Sequence, residues 1–363
     1  MDKGIRFSIV IILYNQMQYI AECIQSVLNQ SYPAYELIIV DDGSTDGGGI
    51  YVRHEAEKYP DFIKVITQEN SGAFAARATG MKHVTGDYFI VIDSDDTLRQ
   101  DALKIVADRL EKTKTDIVLI NYSKNSSFFP SWCDYKNNGI VADADGRVDK
   151  RAYLVTLATS NVVNQMAFKF YKAELIAKTD VEKYGAGVRM GEDRIHTLMF
   201  ADVAQSVLLV DEPLYYYRVN ANSATQKYNP HCIESSVKCC RISRMFVDKW
   251  FVKEEANIYS NQFDWIVMRQ RYKEPFWRCY RWSRVKSALD ILLSNEYGYA
   301  ILQREASREN PQANKKLLNA FLKRNYRFLF LYFEGIKFLR LSARLVPAPL
   351  KQTIIWKMHN SKS

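Results

Sequence analysis

The sequence predicts an α/β protein: a Rossmann-like, mostly parallel central sheet flanked by helices, followed by a mainly helical C-terminal region. Three observations lead there. Apolar runs of strand length recur through the first 125 residues without polar alternation, the mark of strands buried on both faces. Amphipathic helical patterns separate these runs. Beyond about residue 230 the chain turns helical, basic and aromatic, with no further strand signal.

Taken in order, Phe7–Ile12, Leu37–Val40, Ile63–Ile66, Tyr88–Ile92 and Ile117–Ile120 are the strand candidates. Ile20, Ile24, Val27 and Leu28 share one helical face between the first two. Ser71 is placed to cap a helix from Gly72 to about His83, and Thr97 one through Leu103, Val106 and Leu110. Right-handed crossovers put every βα loop on the carboxyl edge of such a sheet, where ligands bind. Tyr14-Asn15, Asp41-Asp42-Gly43-Ser44 and Asp93-Ser94-Asp95-Asp96 therefore converge there. Residues 123–150 are polar and turn-rich, an excursion from the sheet. Mixed helix and strand return over 151–225, ending in two strand-like runs, Ser206–Val210 and Leu214–Val219, and Gln226–His231 serves as a linker.

A chain of 363 residues with 47% hydrophobic and 25% charged residues has the composition of a globular protein of about two domains. Disordered and fibrous classes are excluded. No apolar stretch reaches the ~18 residues that a membrane span needs, and the N-terminus carries no signal-peptide pattern. Six cysteines without metal-ligand spacing are expected as reduced thiols in a cytoplasm. The net charge of +9 is unevenly spread: residues 231–363 hold 25 Lys/Arg against 11 Asp/Glu, whereas 1–230 are slightly acidic. The basic third suits an anionic partner.

Three carboxylates in the four residues Asp93-Ser94-Asp95-Asp96 repel one another, and a cation offsets that charge. Mg²⁺ and Mn²⁺ take oxygen ligands, and Mg²⁺ is typically shared between one or two carboxylates and a substrate phosphate. A solvated acidic loop capping the next helix is the plainer alternative. The Asp41-Asp42-Gly43-Ser44 turn offers a carboxylate that can accept from a base or sugar, or simply a tight βα turn. Glu192-Asp193 precedes the apolar stripe Ile195, Leu198, Met199 and Phe200, so it is either a pair of acids at a helix N-terminus or a catalytic pair.

Five ordered blocks over about 95 residues together resemble the inverting family 2 glycosyltransferases of GT-A fold, of the bacterial cell-surface polysaccharide type. They are Ser8-Ile9-Val10-Ile11-Ile12-Leu13-Tyr14-Asn15, Ser26-Val27-Leu28-Asn29-Gln30-Ser31-Tyr32, Glu36-Leu37-Ile38-Ile39-Val40-Asp41-Asp42-Gly43-Ser44-Thr45-Asp46, Glu69-Asn70-Ser71-Gly72 and Gly86-Asp87-Tyr88-Phe89-Ile90-Val91-Ile92-Asp93-Ser94-Asp95-Asp96. Ile12 departs from the Pro or Thr the family often has before its Tyr-Asn pair.

The resemblance implies a catalytic domain over 1–228, with a nucleotide-sugar half (1–125) and an acceptor half (126–228), and a helical, basic domain over 229–363. It implies that Tyr14 packs beside a nucleotide base and that Asp42 accepts from the base imide, which favours a UDP-sugar donor. Arg77 would touch base or phosphate. Asp93 would face ribose and donor sugar, and Asp95 would hold Mn²⁺ or Mg²⁺, with Asp96 the alternative ligand. Asp193 would be the general base for the acceptor hydroxyl and Glu192 its orienting partner, giving inversion in one displacement. Arg218 and Ser223, in the run from Tyr215 to Ser223, would fold over the diphosphate. Lys169 would line the acceptor side, and His196 is read as structural.

The acceptor implied is a glycan, in particular a lipid-linked cell-surface polysaccharide intermediate. From Lys323 onward, Phe328, Leu329, Tyr332, Ile336, Leu339, Ala343 and Val346 share one helical face, with Lys and Arg on the other and Pro347 as the stop. Such a helix reads as an interfacial binder of anionic membrane, or as a surface docked on its own domain or on a second copy in a homo-oligomer. The corresponding location is the cytoplasm, peripheral at the inner face of the cell membrane. Nothing resembles a nucleic-acid module. Two rival functions use the same residues: a haloacid dehalogenase-type phosphatase with Asp93 as nucleophile, and an inactive nucleotide-sugar-binding scaffold.

Overall fold

The computed structural model describes residues 4–185, 188, 191–220, 232–271, 282–308 and 314–333, without the side chain of Arg284. They fall into two compact units, one of Met1–Gln226 with Lys238–Phe263 and one of Lys227–Val237 with Asp264–Ser363. The helices expected as a single domain after residue 228 thus divide between the two units.

The first unit carries the sheet, of strands β1 (Phe7–Leu13), β2 (Glu36–Asp41), β3 (Ile63–Thr67), β4 (Tyr88–Asp93), β5 (Thr97–Leu98), β6 (Ile117–Ser123), β7 (Arg147–Val148), β8 (Lys169–Lys172) and β9 (Val207–Tyr216). Their order is β3-β2-β1-β4-β8-β6-β9-β5, with β7 also on β9. β3, β2, β1 and β4 run parallel, as do β6 and β9. β8 enters antiparallel between β4 and β6. The sheet is therefore mostly parallel but mixed.

Helices α1 (Met17–Leu28), α2 (Gly48–Lys58), α3 (Ala73–Met81), α4 (Ala102–Lys112), α5 (Lys150–Thr159), α6 (Glu174–Ala177), α7 (Glu192–Val203), α8 (Cys232–Trp250) and α9 (Lys253–Arg271) follow in chain order. Because successive strand residues point to opposite faces, β1 feeds two cores at once. Phe7, Ile9, Ile11 and Leu13 pack with Ile20, Ile24 and Val27 of α1 and with Leu103, Val106 and Leu110 of α4. Val10 packs on the other face with Phe74 and Met81 of α3 and with Ile195, Leu198 and Phe200 of α7. α3 lies especially close: a Cβ on Gly80 would stand 2.4 Å from Val10 Cγ1. That approach sets the depth at which α3 presents Arg77.

Three local expectations are corrected. Ser71 does not cap α3: Gly72 precedes the helix at φ +86°, and the Ser71 hydroxyl donates to Glu69 O instead. Thr97 does not open α4 but lies in β5, paired antiparallel with Tyr216, and the helix begins after Asp101. The two runs expected near 206–219 are one strand, β9, whose register against β6 jumps at Asn121 and Pro213. Pro213 has no N–H for the ladder, and the Asn121 amide donates to Asp211 Oδ1 (2.6 Å) across the irregularity.

The second unit includes α10 (Trp282–Ser294), α11 (Glu296–Ala306) and α12 (Lys315–Leu322). Asn295 and Asn314 cap the last two through the N–H groups of Gly298 and Leu317. Residues 326–333 are helical, with Leu329 and Phe333 buried and Phe328 partly exposed. Ile336, Leu339, Ala343, Val346 and Pro347 lie outside the described residues, as does the linker segment 226–231. Among the described residues no helix is long and apolar enough to cross a membrane, and five cysteines are free thiols.

Candidate active site

β1 connects to β2 on one side, and the chain later crosses to β4 on the other, so the carboxyl ends of β1 and β4 border a topological switch point, the usual ligand crevice of an open α/β sheet. Loop chemistry fixes the first side. Asn15 adopts φ +52° and its Oδ1 accepts from Thr45 N (2.7 Å), while its own N–H donates to Ser44 Oγ (3.1 Å). Asp46 accepts from the first amide of α1, Met17 N, at 2.8 Å and from Gly48 N at 2.9 Å. One carboxylate thereby satisfies orphan donors of two helices and locks the β1 and β2 loops together. Tyr14 stands half exposed above them.

Asp42 is buried. Its Oδ1 accepts from Gln68 Nε2 and Ser71 N, both at 2.8 Å, and its Oδ2 from Gly72 N at 2.9 Å. Gln68 is held in turn by the Thr79 hydroxyl at 2.7 Å. Gly43 is needed beside it: φ is +76° and a Cβ would press on Asn70 N at 3.0 Å. Asp42 thus clamps the Asn70-Ser71-Gly72 turn, and three of its roughly four acceptor directions are used.

At the end of β4 the three carboxylates have different surroundings. Asp96 is buried with one donor on each oxygen: Tyr215 OH donates to Oδ2 at 2.6 Å and Arg218 N to Oδ1 at 2.8 Å. Asp95 lies nearer the surface, and its carboxyl is pushed up to about 6 by burial and by the charge of Asp93, against the Asn220 hydrogen bond and Arg218. Asp93 is about one-third exposed (35%). Arg218 is fastened by three groups: its Nε donates to Asp95 O (2.8 Å), its Nη2 pairs with Glu22 (2.6 Å), and its plane lies over Tyr19 and Tyr216.

Arg77 joins this cluster to the other half of the domain. Expected against a base or phosphate, the guanidinium is buried and pairs with Asp93 Oδ1 at 3.2 Å and Asp193 Oδ1 at 2.7 Å. The second contact is an ion pair without hydrogen-bond alignment. Glu192 and Asp193 form the first turn of α7, where the helix dipole favours negative charge. Burial lifts the Asp193 carboxyl to about 6; Arg77 and Lys169 oppose the rise and the charges of Asp93 and Glu192 add to it. Lys169 is buried, donates to Gln165 O, and is pulled down to about 7 by burial, with Asp193 acting the other way. His196 stacks on Phe74 at 4.0 Å and contacts Val181 O, consistent with a packing role.

The structure therefore brings Asp93, Asp95, Asp96, Arg77, Asp193 and Arg218 into one linked network. Ser223 lies outside the described residues. The sequence reading passed over Glu22 and Gln68 and named Tyr215 only as the start of a run, yet each holds a predicted residue in place. Gln68 stood one position before a recognised block. Glu22 meets Arg218 across 196 residues, and no local pattern announces such a pair.

Among the described residues no three His, Cys, Asp or Glu side chains converge into a cation cage. The group that fits a divalent ion is Asp95, a hard oxygen ligand near the surface with the negative charge of Asp93 beside it.

These features accord with the comparisons. The model for Glycosyl transferase family 2 matches residues 8–176. The uncharacterized glycosyltransferase EpsJ of Bacillus subtilis is 28% identical over 259 residues, 69% of this chain and 74% of EpsJ. The minor teichoic acid biosynthesis protein GgaA of the same species is 41% identical over 107 residues, 28% of this chain and 24% of GgaA. The crystal structure of S. aureus TarS 1–349 shares the fold, with a TM-score of 0.60 at 18% identity over 91% of this chain and 92% of that one. Fold and comparisons together define a glycosyltransferase of GT-A architecture. The mixed sheet and helical C-terminal region follow that class, and the phosphatase reading of Asp93 falls away. Residues 8–176 carry a glycosyltransferase family 2 domain.

Asp42→Ala leaves the Ser71 and Gly72 amides and the Gln68 side chain without their acceptor. Urea unfolding is expected to show a loss of about 1–3 kcal/mol.

Proposed function

We propose that the protein is an inverting, metal-dependent glycosyltransferase that moves a sugar from a UDP-sugar to a hydroxyl of a lipid-linked cell-surface polysaccharide intermediate. The observation that carries this reading is Arg77, whose single buried guanidinium spans the carboxylate of the donor strand end and that of the α7 terminus. The base candidate is thereby held against the donor-side carboxylates, as one displacement step requires.

Asp42 keeps one acceptor direction for an imide N–H, the feature that separates uracil and thymine from the other bases. Tyr14 supplies an exposed ring beside it. Asp93 would face the ribose and donor sugar, and Asp95 would hold Mn²⁺ or Mg²⁺, which when bound offsets charge developing on the leaving diphosphate. S. aureus TarS has been crystallised with UDP-GlcNAc, in a structure of TM-score 0.60 to this chain, which supports a nucleotide-sugar donor. Arg218, whose Nε donates to Asp95 O, would meet the diphosphate.

Asp193 works as base in its ionised form, taking the acceptor proton as the oxygen attacks the anomeric carbon. Glu192 keeps the local field negative and orients Asp193. The likeness to the minor teichoic acid biosynthesis protein GgaA supports a cell-surface glycan acceptor. The basic C-terminal segment suits an anionic membrane at which a lipid-linked acceptor resides, with a homo-oligomer as the alternative use of that segment.

Two outcomes test the roles. With a panel of UDP-sugars and Mn²⁺, Asp193→Asn lowers kcat by roughly 10²–10⁴-fold while UDP affinity stays near the parent value; Asp95→Asn weakens metal-supported UDP binding itself. Equal loss of binding in both variants contradicts the assignment.

The second outcome is pH dependence. A base raised to about 6 loses activity as pH falls through that value, so kcat/KM drops on an acid limb centred there. Arg77 holds the Asp193 carboxyl down, so Arg77→Gln moves the limb to higher pH. A limb that stays put, or moves down, contradicts the pairing.

A further inference from the structure

Exposed aromatic rings gather on one loop of the acceptor half. β6 ends at Ser123 on the carboxyl edge of the sheet, and the excursion that follows returns at Trp132, whose N–H donates to Tyr122 O at 2.7 Å. Tyr217 N–H donates to Ser123 O at 2.8 Å. Both ends of the loop are thus tied to the strand ends that border the carboxylate cluster. Between them Phe129 is 74% exposed and Trp132 54% exposed. Phe128 adopts φ +58°, a left-handed conformation uncommon for a bulky residue and a frequent companion of functional sites. Its ring meets Tyr216 edge-on at 6.4 Å, which leaves Phe129 facing solvent.

A second aromatic layer lies beside the root of the loop. Tyr122 stacks on Phe168 at 4.1 Å and 15°, and Tyr217 meets both edge-on at 6.1 and 6.3 Å. Tyr217 immediately precedes Arg218, whose N–H donates to Asp96 Oδ1 at 2.8 Å, so the layer borders the carboxylate cluster. The aromatic surface is continuous in sequence and hydrogen bonding with the site where an acceptor hydroxyl must arrive.

Its neighbours identify the ligand chemistry. Lys124 Nζ lies 3.7 Å from the Trp132 ring centroid, and Asn125, Ser126 and Ser127 add exposed polar groups. Aromatic faces rimmed by hydrogen-bonding groups suit a partner with one C–H-rich face and a hydroxylated edge, as a pyranose ring has. An anionic bilayer calls for several cations beside the apolar residues, whereas residues 124–132 contain one, Lys124.

We propose that the loop of residues 124–132 is a stacking platform for the acceptor glycan, with Trp132 and Phe129 seating sugar rings beyond the one that receives the new linkage. This rests on the glycosyltransferase reading and adds a subsite to it. The geometry assigns acceptor specificity to a surface separate from the donor contacts.

The test uses the full chain and saturation-transfer NMR with methyl β-D-glucopyranoside, methyl β-D-galactopyranoside and methyl N-acetyl-β-D-glucosaminide as probes. The expected result is transfer to ring C–H protons of at least one glycoside. It falls about fivefold or more in the Phe129→Ser/Trp132→Ser double variant and persists in the conservative Trp132→Phe. Both changed side chains are exposed, so an unchanged thermal melt separates lost contact from lost fold. Equal transfer in parent and double variant, or none to any glycoside in the parent, overturns the platform. UDP binding with Mn²⁺, unaltered across these variants, shows that the donor site stands whatever the platform does. Loss of co-sedimentation with phosphatidylglycerol vesicles in the double variant, with saturation transfer unchanged, makes the loop a membrane contact and also overturns the proposal.

Discussion

The site depends on one buried cation. Arg77 is enclosed by α3, β4 and α7, and an uncompensated guanidinium there would be costly. Two carboxylates from distant parts of the chain, Asp93 and Asp193, meet it. The arrangement runs both ways: the carboxylates justify the burial of Arg77, and Arg77 draws together acids that would otherwise repel one another. Gly80 permits α3 to lie against β1 closely enough to make this possible. A structural necessity and the juxtaposition proposed for catalysis are thus the same contact.

Around that centre, recruitment of each residue follows from unsatisfied hydrogen-bonding groups. Asp42 and Asp46 each accept from several main-chain amides, so the βα loops are fixed before any ligand arrives. Asp96 spends both oxygens on Tyr215 and Arg218, which fastens the end of β9 over the β4 loop. Asp93 shares the charge of Arg77 with Asp193, and Asp95 lies nearer the surface without a side-chain ion pair of its own among the described residues. The three neighbouring aspartates therefore divide between holding the fold and offering charge, and the division follows burial and hydrogen bonding rather than residue type.

Much of this was legible in the sequence because its signals are local. Five apolar runs lacking polar alternation gave the parallel strands, and loops at their carboxyl ends held the acids. The less legible parts are long-range. Thr97 has the chemistry of a helix cap, yet pairing with Tyr216 draws it into β5. Pro213 looks like a strand boundary, but β9 passes it through a register shift against β6. Arg77 has the composition of a phosphate ligand; its burial beneath two acids comes from the packing of α3 and α7 on one sheet face, which no sequence window contains. Glu22 and Arg218 meet for the same kind of reason.

The most direct measurement of the account is calorimetric titration of the full chain with UDP, TDP, GDP and ADP, each with and without Mn²⁺. The account predicts binding confined to the uridine and thymidine diphosphates and strengthened by the metal, because the proposal has Asp42 read the imide and Asp95 hold the ion. Equal binding of all four nucleotides, or binding indifferent to Mn²⁺, would contradict it.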